Sequence, residues 1–380
     1  MTQDNNKTPA VDPYAIHVEY CRARQQRLLE YMRQNQIDLA IVTQREHVQW
    51  LSGVWFAWTF QPAAALTREG ELILVAPQKA PDVTAADVVV TYEAKRHSTL
   101  RNDQRLASTE VLKRALDARA RPQRIGVEYS TFGPYLAEAF PATLCDIEPT
   151  LYQLRRRKEP DELARLRKAI KATGRMYERA RQIIGPGVSE LEVFNQLQAA
   201  AVEECGEMLT GTGNDYQCAS RGGPPRSGRV AKAGELYILD LGPAFRGYFA
   251  DNARTLAVTE PTQEQLTAWS HIIQVFQHVE ATVKPGKSAR ELFHEVQALL
   301  DQAPLGVFNH HLGHGIGLFP HEAPHLNPHW DDYFEVGDVF TVEPGLYAPE
   351  LKAGMRLEND YLVTDTGVEL LSDFPLELRI

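Results

Sequence analysis

The spacing of apolar and polar positions predicts alternating helices and strands in the first 150 residues. Apolar residues from Val18 to Met32 recur at helical spacing, and a short apolar run typical of a strand follows them. The predicted elements, in order, are a helix from residue 18, a strand over 37–42, a hairpin over 64–77, a strand over 88–92, a helix over 106–116 and a strand over 125–129. We therefore expect a small α/β domain over residues 12–150.

A domain boundary is predicted near residues 149–160. The basic run Arg155-Arg156-Arg157-Lys158 is interpreted as the solvated face of a linker. Pro160 suits the first turn of a helix that ends before Gly185. The second domain is expected to cover residues 155–380.

The second domain contains an internal repeat. The segment beginning Pro186-Gly187-Val188-Ser189 recurs as Pro285-Gly286-Lys287-Ser288, and each serine stands three positions before a glutamate, which predicts a capped helix. Further along, the apolar run that ends at Asp240 matches the run that ends at Glu343. We expect an α+β domain with two-fold pseudo-symmetry, in which each half presents a carboxylate at the end of a strand.

Length and charge narrow the function classes. A chain of 380 residues suits two domains, and its net charge of −10 disfavours a nucleic-acid partner. No stretch approaches the apolar length of a membrane span, so we expect no membrane partner. The four cysteines are scattered without a paired motif, which favours the reducing cytoplasm.

Two pairs of carboxylates and a histidine are candidate metal ligands. Asp240 and Asp251 stand on either side of a predicted turn at Arg246-Gly247, and Glu343 is followed by Glu358. Carboxylates gathered at about 4 Å would repel by about 4 kcal/mol per pair, so cations are expected among them. Four carboxylates and the neutral imidazole of His314 carry a charge of −4, which two divalent ions balance. This donor set suits Mn²⁺, Fe²⁺, Co²⁺ or Zn²⁺.

The chemistry of such a centre is hydrolysis. Metal binding lowers the pKa of water to about 7, so a hydroxide held between two ions could attack a carbonyl near neutral pH. We expect Glu343 to pass a proton to the departing nitrogen, and His321 to stabilise the oxyanion together with the ions.

These segments resemble the pita-bread metallopeptidases, the family of Xaa-Pro dipeptidase (prolidase), aminopeptidase P and creatinase. The matching stretches are Leu239-Asp240-Leu241-Gly242, Asp251-Asn252-Ala253-Arg254-Thr255, Gly313-His314-Gly315-Ile316-Gly317, Val342-Glu343-Pro344-Gly345 and Arg356-Leu357-Glu358. A weaker likeness in the first domain covers residues 47–53. The resemblance implies a creatinase-like N-terminal domain and a dinuclear hydrolase that cleaves Xaa-Pro peptide bonds, with Mn²⁺ as the expected metal.

The resemblance also implies individual roles. Asp240 would bind one ion and His314 the other, and Asp251 and Glu358 would bridge both. Glu343 would bind metal and handle a proton. His310 and His321 would contact substrate or move protons, and Arg356 would orient a ligand carboxylate.

One departure from the family pattern concerns the substrate. A further histidine is usual on the loop before the first aspartate strand, but this chain has no histidine between His97 and His271. Arg221 or Arg226 on that loop could take its place by binding a substrate carboxylate, which would favour short peptides.

Two alternative functions stay open. The chain could act on a small non-peptide substrate through creatinase-like or lyase chemistry, or it could be a non-catalytic binding module.

The aromatic stretch over residues 55–60 could pack in the core or form a lid over an active site. We also expect a homodimer.

Overall fold

A computed structural model describes residues 12–57, 59–117, 119, 121–131, 134–213 and 215–379. The chain divides into two compact units between Leu154 and Arg155. The elements of the N-terminal unit are α1 (Val18–Gln34), β1 (Leu39–Val42), α2 (Arg45–Ser52), β2 (Ala63–Thr67), β3 (Leu72–Pro77), β4 (Val88–Tyr92), a 3-10 helix (Ala94–Arg96), α3 (Arg101–Leu116), β5 (Arg124–Val127), α4 (Pro134–Ala139), β6 (Thr143–Asp146) and α5 (Glu148–Arg156), whose last two residues lie beyond the division.

The N-terminal unit is built on a six-stranded mixed sheet. Its strand order is β4-β3-β2-β1-β5-β6, with β2 and β3 forming the hairpin that the apolar pattern predicts. Helix α2 was not predicted, because it has only 8 residues, about two turns, which is too short for a clear helical period. Within the aromatic stretch, Phe60 packs against the core and Trp55 is 42% exposed, whereas Trp58 lies outside the described residues.

Over its described residues, the C-terminal unit holds two antiparallel sheets of three or more strands and four helices of 12 residues or more. Its elements are α6 (Pro160–Ile183), α7 (Glu190–Cys205), β7 (Asp215–Cys218), β8 (Leu236–Leu241), β9 (Ala244–Phe245), β10 (Tyr248–Phe249), β11 (Asn252–Ala257), α8 (Gln263–Thr282), α9 (Ala289–Leu300), β12 (Gly313–Gly315), β13 (Glu322–Leu326), β14 (Val339–Val342), β15 (Gly345–Leu346), a 3-10 helix (Pro349–Leu351), β16 (Met355–Arg356), β17 (Asn359–Val363) and β18 (Val368–Leu370). The strand orders are β11-β8-β7 and β13-β12-β14-β17-β18, and two short ribbons pair β9 with β10 and β15 with β16.

The two halves of the repeat form matching structures. The hydroxyl oxygens of Ser189 and Ser288 accept the backbone N–H of the glutamate three positions on, at 3.0 and 3.1 Å, and so cap α7 and α9. Each half then contributes an antiparallel pair of strands, β8 with β11 and β14 with β17. The pseudo-symmetry that the sequence predicts is therefore present in the fold.

The basic run is not a solvated linker, which corrects the interpretation of the sequence. Arg155 and Lys158 are buried and both pair with the buried carboxylate of Glu322, the lysine at 3.3 Å. Arg156 is also buried and bonds both oxygens of Asp338, at 2.9 and 2.7 Å. The charge of the run predicts exposure to solvent, but carboxylates distant in sequence lie within the same unit and neutralise that charge.

The described helices do not reach the combination of length and apolar character that a membrane span requires.

Candidate metal centre

The four candidate carboxylates converge because of how the strands end. Asp240 lies on β8, opposite Ala253 of β11, and Asp251 stands directly before β11. Glu343 directly follows β14, and Glu358 precedes β17. The backbone N–H of Glu358 donates to the Ala253 carbonyl at 2.9 Å and so ties the two halves of the repeat together. All four carboxylates line one cavity of about 410 Å³.

His314 enters this cavity from β12, and the glycines on both sides of it make the position possible. A Cβ on Gly313 would lie 2.0 Å from the Thr341 carbonyl oxygen, and a Cβ on Gly315 would lie 2.0 Å from that of Ala323. Only glycine permits the backbone to pass this close to its neighbours. The motif Gly313-His314-Gly315 is thus explained by packing as well as by chemistry.

The histidine has the tautomer of a metal ligand. Its Nδ1 lies 3.0 Å from the carbonyl oxygen of Gly315, which can only accept, so Nδ1 donates and Nε2 carries a lone pair. The Nε2 atom lies 3.7 Å from Oδ2 of Asp251 and 3.8 Å from Oε1 of Glu343. Burial lowers the pKa of His314 to about 4, so the imidazole is neutral near pH 7.

The electrostatics of the carboxylates fit cations. Oε2 of Glu358 is buried without a hydrogen-bond partner. Burial, together with the neighbouring carboxylates, raises the pKa of both Asp251 and Glu358 well above the ordinary range. Ligand atoms within 4.8 Å of one another form three overlapping groups, which are Asp240, Asp251 and Glu358, then Asp251, His314 and His321, and finally His311, His314 and Glu343. These donors can hold two divalent ions.

Arg356 joins two carboxylates beside the cavity. Its Nε and Nη2 donate to Oδ2 of Asp240 at 3.1 and 2.8 Å, and Nη2 also bonds Asp215. Asp215 was not among the sequence candidates, because a lone aspartate between loop residues resembles a turn. Since the charges of Asp215 and Arg356 cancel, the net charge of −4 on the ligand carboxylates is unchanged.

The hydrogen bonds of His310 are used within the protein. Its Nδ1 donates to the His311 carbonyl at 2.7 Å, so its Nε2 accepts the Tyr347 hydroxyl at 2.9 Å. The Tyr347 oxygen in turn accepts from Nη1 of Arg356 at 3.3 Å. His310 also lines the cavity and belongs to a chain of hydrogen bonds that ends on Asp240, and its expected role of contacting substrate or moving protons stays a prediction.

Two other histidines face the cavity. His321 stacks on His314, with ring centroids 3.8 Å apart and planes 11° from parallel. Nε2 of His311 lies 2.6 Å from Oε1 of Glu343, and its side chain is 40% exposed. His311 was not among the sequence candidates, although it is adjacent in sequence to the candidate His310.

The two loop arginines have different surroundings. Arg221 lines the cavity, where its guanidinium lies 3.9 Å from the ring centroid of Tyr347 and 2.5 Å from Oδ1 of Asn309. Arg226 is bonded to the buried carboxylate of Glu190 at 2.6 Å and is not among the residues that line the cavity. Of the two arginines expected to contact the substrate, only Arg221 is therefore among the residues that line the cavity.

Comparisons with known proteins agree with this geometry. Residues 164–365 match metallopeptidase family M24, and residues 24–157 match the creatinase/prolidase N-terminal domain. An uncharacterized peptidase of Staphylococcus aureus (strain MW2) is 31% identical over 235 residues, which are 60% of this chain and 66% of that protein, just under two thirds of its length.

Solved structures share the fold. An Xaa-Pro dipeptidase from Bacillus anthracis superimposes with a TM-score of 0.81 at 23% identity, covering 95% of this chain and 100% of its own. An X-Pro aminopeptidase from Thermotoga maritima gives a TM-score of 0.77 at 22% identity, covering 94% and 99%. The expected two-domain pita-bread fold is confirmed, and with the match over more than half of its residues the chain belongs to metallopeptidase family M24.

Proposed function

We propose that this metallopeptidase holds two divalent ions and hydrolyses the peptide bond that precedes proline, as a prolidase or an aminopeptidase P does. The observation that carries the proposal is the convergence of four carboxylates and one neutral imidazole on a single cavity. The match to a creatinase/prolidase N-terminal domain and the similarity to an Xaa-Pro dipeptidase and an X-Pro aminopeptidase support the preference for proline.

The ions would be held by Asp240, Asp251, His314, Glu343 and Glu358. When bound, they supply Lewis acidity and lower the pKa of a water molecule, which is the chemistry of amide hydrolysis. Asp251 belongs to two of the three donor groups, and its Oδ2 is 3.7 Å from Nε2 of His314. Asp251 would therefore serve both ions, and the family resemblance gives Glu358 the same role.

The remaining residues of the cavity would orient the substrate and move protons. Burial raises the pKa of Glu343, but His311 and His314 outweigh it and lower the pKa, so Glu343 is ionised. Its carboxylate would carry a proton from the attacking water to the departing nitrogen. Burial lowers the pKa of His321, which leaves it neutral and able to donate one hydrogen bond to a developing oxyanion. Arg221 offers a fixed positive charge to the free carboxylate of a short peptide.

A turnover screen of the full chain reconstituted with Mn²⁺ tests the proposal. The substrates are Xaa-Pro dipeptides, longer Xaa-Pro peptides, matched peptides with alanine in place of proline, and creatine. We expect cleavage of the proline peptides alone, with about two ions bound per chain by elemental analysis. Turnover of creatine, or equal rates with proline and alanine, would contradict the proposed substrate. A stoichiometry near zero after loading would contradict the dinuclear centre.

A further inference from the structure

His311 stands where a sixth protein ligand would stand. One ring nitrogen of His311, one of His314 and a carboxylate oxygen of Glu343 lie within 4.8 Å of one another. This group contains two imidazoles, whereas the neighbouring group of Asp240, Asp251 and Glu358 offers oxygen alone. The two groups therefore differ in ligand chemistry.

The distances around Glu343 suit a common ion. Two donor atoms about 2.0–2.1 Å from one ion lie about 2.9 Å apart at a right angle and about 3.3 Å apart at the tetrahedral angle. Oε1 of Glu343 lies 2.6 Å from Nε2 of His311 and 3.8 Å from Nε2 of His314, values on either side of this range. Shifts of a few tenths of an ångström would bring all three atoms onto one ion, which would replace the direct contact between His311 and Glu343.

Ring orientation separates His311 from His321. An imidazole lone pair lies in the plane of its ring. Ligand atoms of His314, His321 and Asp251 also lie within 4.8 Å of one another, but the rings of His314 and His321 are stacked at 3.8 Å and nearly parallel. Their lone pairs therefore lie in separate parallel planes and do not converge on one point. The ring of His311 stands at 77° to that of His314, with centroids 5.6 Å apart, and planes that cross in this way can share an ion.

We propose that His311 is a ligand of the ion at His314 and Glu343, and that this second imidazole makes the two metal positions unequal in preference. Imidazole ligands favour Zn²⁺, Co²⁺ and Fe²⁺, whereas carboxylate ligands suit Mn²⁺ and Mg²⁺. The position with two imidazoles would load Zn²⁺ or Co²⁺ in preference to Mn²⁺, and the position with oxygen donors would accept Mn²⁺. This inference rests on the two-ion centre proposed above.

Metal titration of the metal-free full chain tests the inference without measuring activity. Zn²⁺ and Mn²⁺ are titrated separately by chelator competition into the wild type, His311→Ala and the control His321→Ala. Removal of a residue outside the ligand set costs about 10–100-fold in affinity. We expect His311→Ala to lose more than about 100-fold in affinity for one equivalent of Zn²⁺, while its affinity for Mn²⁺ changes less than about tenfold. We expect His321→Ala to lose no more than about 100-fold in affinity for Zn²⁺.

A spectrum shows whether His311 touches the ion itself. With one equivalent of Co²⁺, replacing an imidazole by water should shift the visible absorption bands in His311→Ala and leave those of His321→Ala at the wild-type positions. Identical Co²⁺ spectra for His311→Ala and the wild type, or equal Zn²⁺ losses in both variants, would overturn the inference. A wild type that binds no metal would instead refute the two-ion centre, so the two failures are distinguishable.

Discussion

Glu322→Gln removes the carboxylate charge that Arg155 and Lys158 share. All three side chains are only 1% exposed, so neither cation can recover its hydration when the partner is neutralised. Glutamine keeps the shape, and its oxygen can still accept the Phe319 backbone N–H that Glu322 accepts at 3.0 Å. The loss is therefore mainly electrostatic.

The expected magnitude follows from burial. Breaking a buried ion pair by removing one partner costs about 3–5 kcal/mol, which is about 10²–10⁴-fold in the folding equilibrium. Glu369→Gln is a matched control, because Glu369 pairs with Arg167 at 2.8 Å but both side chains are nearly half exposed. Such a surface pair contributes about 0–1 kcal/mol.

Urea-induced unfolding of the full chain, followed by circular dichroism, measures both variants. We expect Glu322→Gln to lower the midpoint strongly at an unchanged slope, and Glu369→Gln to move it little. The metal content of folded Glu322→Gln should match that of the wild type, because Glu322 is not among the candidate ligands. Equal shifts in the two variants would show that the buried cluster contributes no more than a surface pair, and would refute this reasoning.

Other predictions concern pH, metal and substrate. Burial raises the pKa of Glu322, but Arg155 and Lys158 outweigh it and hold the pKa below its unfolded value. The contribution of Glu322 to folding stability is therefore present at neutral pH and is lost as the pH falls through the folded pKa. The urea midpoint measured at decreasing pH should show this loss in the wild type and not in Glu322→Gln. Asp251→Ala should lose both ions by elemental analysis, because a bridging carboxylate serves two cations; retention of both would contradict the bridge. A chelator should lower the melting temperature of the wild type, since it leaves the carboxylates uncompensated, and calorimetry with no shift would contradict this. Arg221→Ala should raise KM for Xaa-Pro dipeptides more than for their C-terminal amides, whereas Arg226→Ala should alter stability and leave that ratio unchanged; equal effects on both substrates in Arg221→Ala would exclude the carboxylate contact.

Local pattern predicts most strands of the N-terminal sheet, several helices of the C-terminal unit and the ligand candidates. The serines that cap α7 and α9 and the strands that end near Asp240 and Glu343 are each visible within a few residues of sequence. Periodicity also predicts the first hairpin, because its strands are short apolar runs around a turn. These features are determined by residues that are close together in the chain, so the local sequence is enough to predict them.

Features that depend on distant partners could not be predicted. Lys158 and Glu322 are 164 positions apart, so the basic run looks like a solvated face until the fold brings the carboxylate to it. Asp215 acquires a role only because Arg356, 141 positions away, reaches it. Which of the adjacent rings of His310 and His311 faces Glu343 is decided by the loop before β12. The homodimer and the cytoplasmic location stay predictions.

The buried basic segment also determines where the chain can be divided. A catalytic fragment that began at Pro160, the first residue of α6, would contain every candidate ligand but would lack Arg155, Arg156 and Lys158. Glu322 and Asp338 would then stay inside the fragment without their cations, at a cost of several kcal/mol for each. A fragment that began at Glu148, the first residue of α5, would keep all three. A catalytic fragment would therefore have to begin before Arg155, because the residues that by sequence alone look like the place to cut hold two buried carboxylates in place.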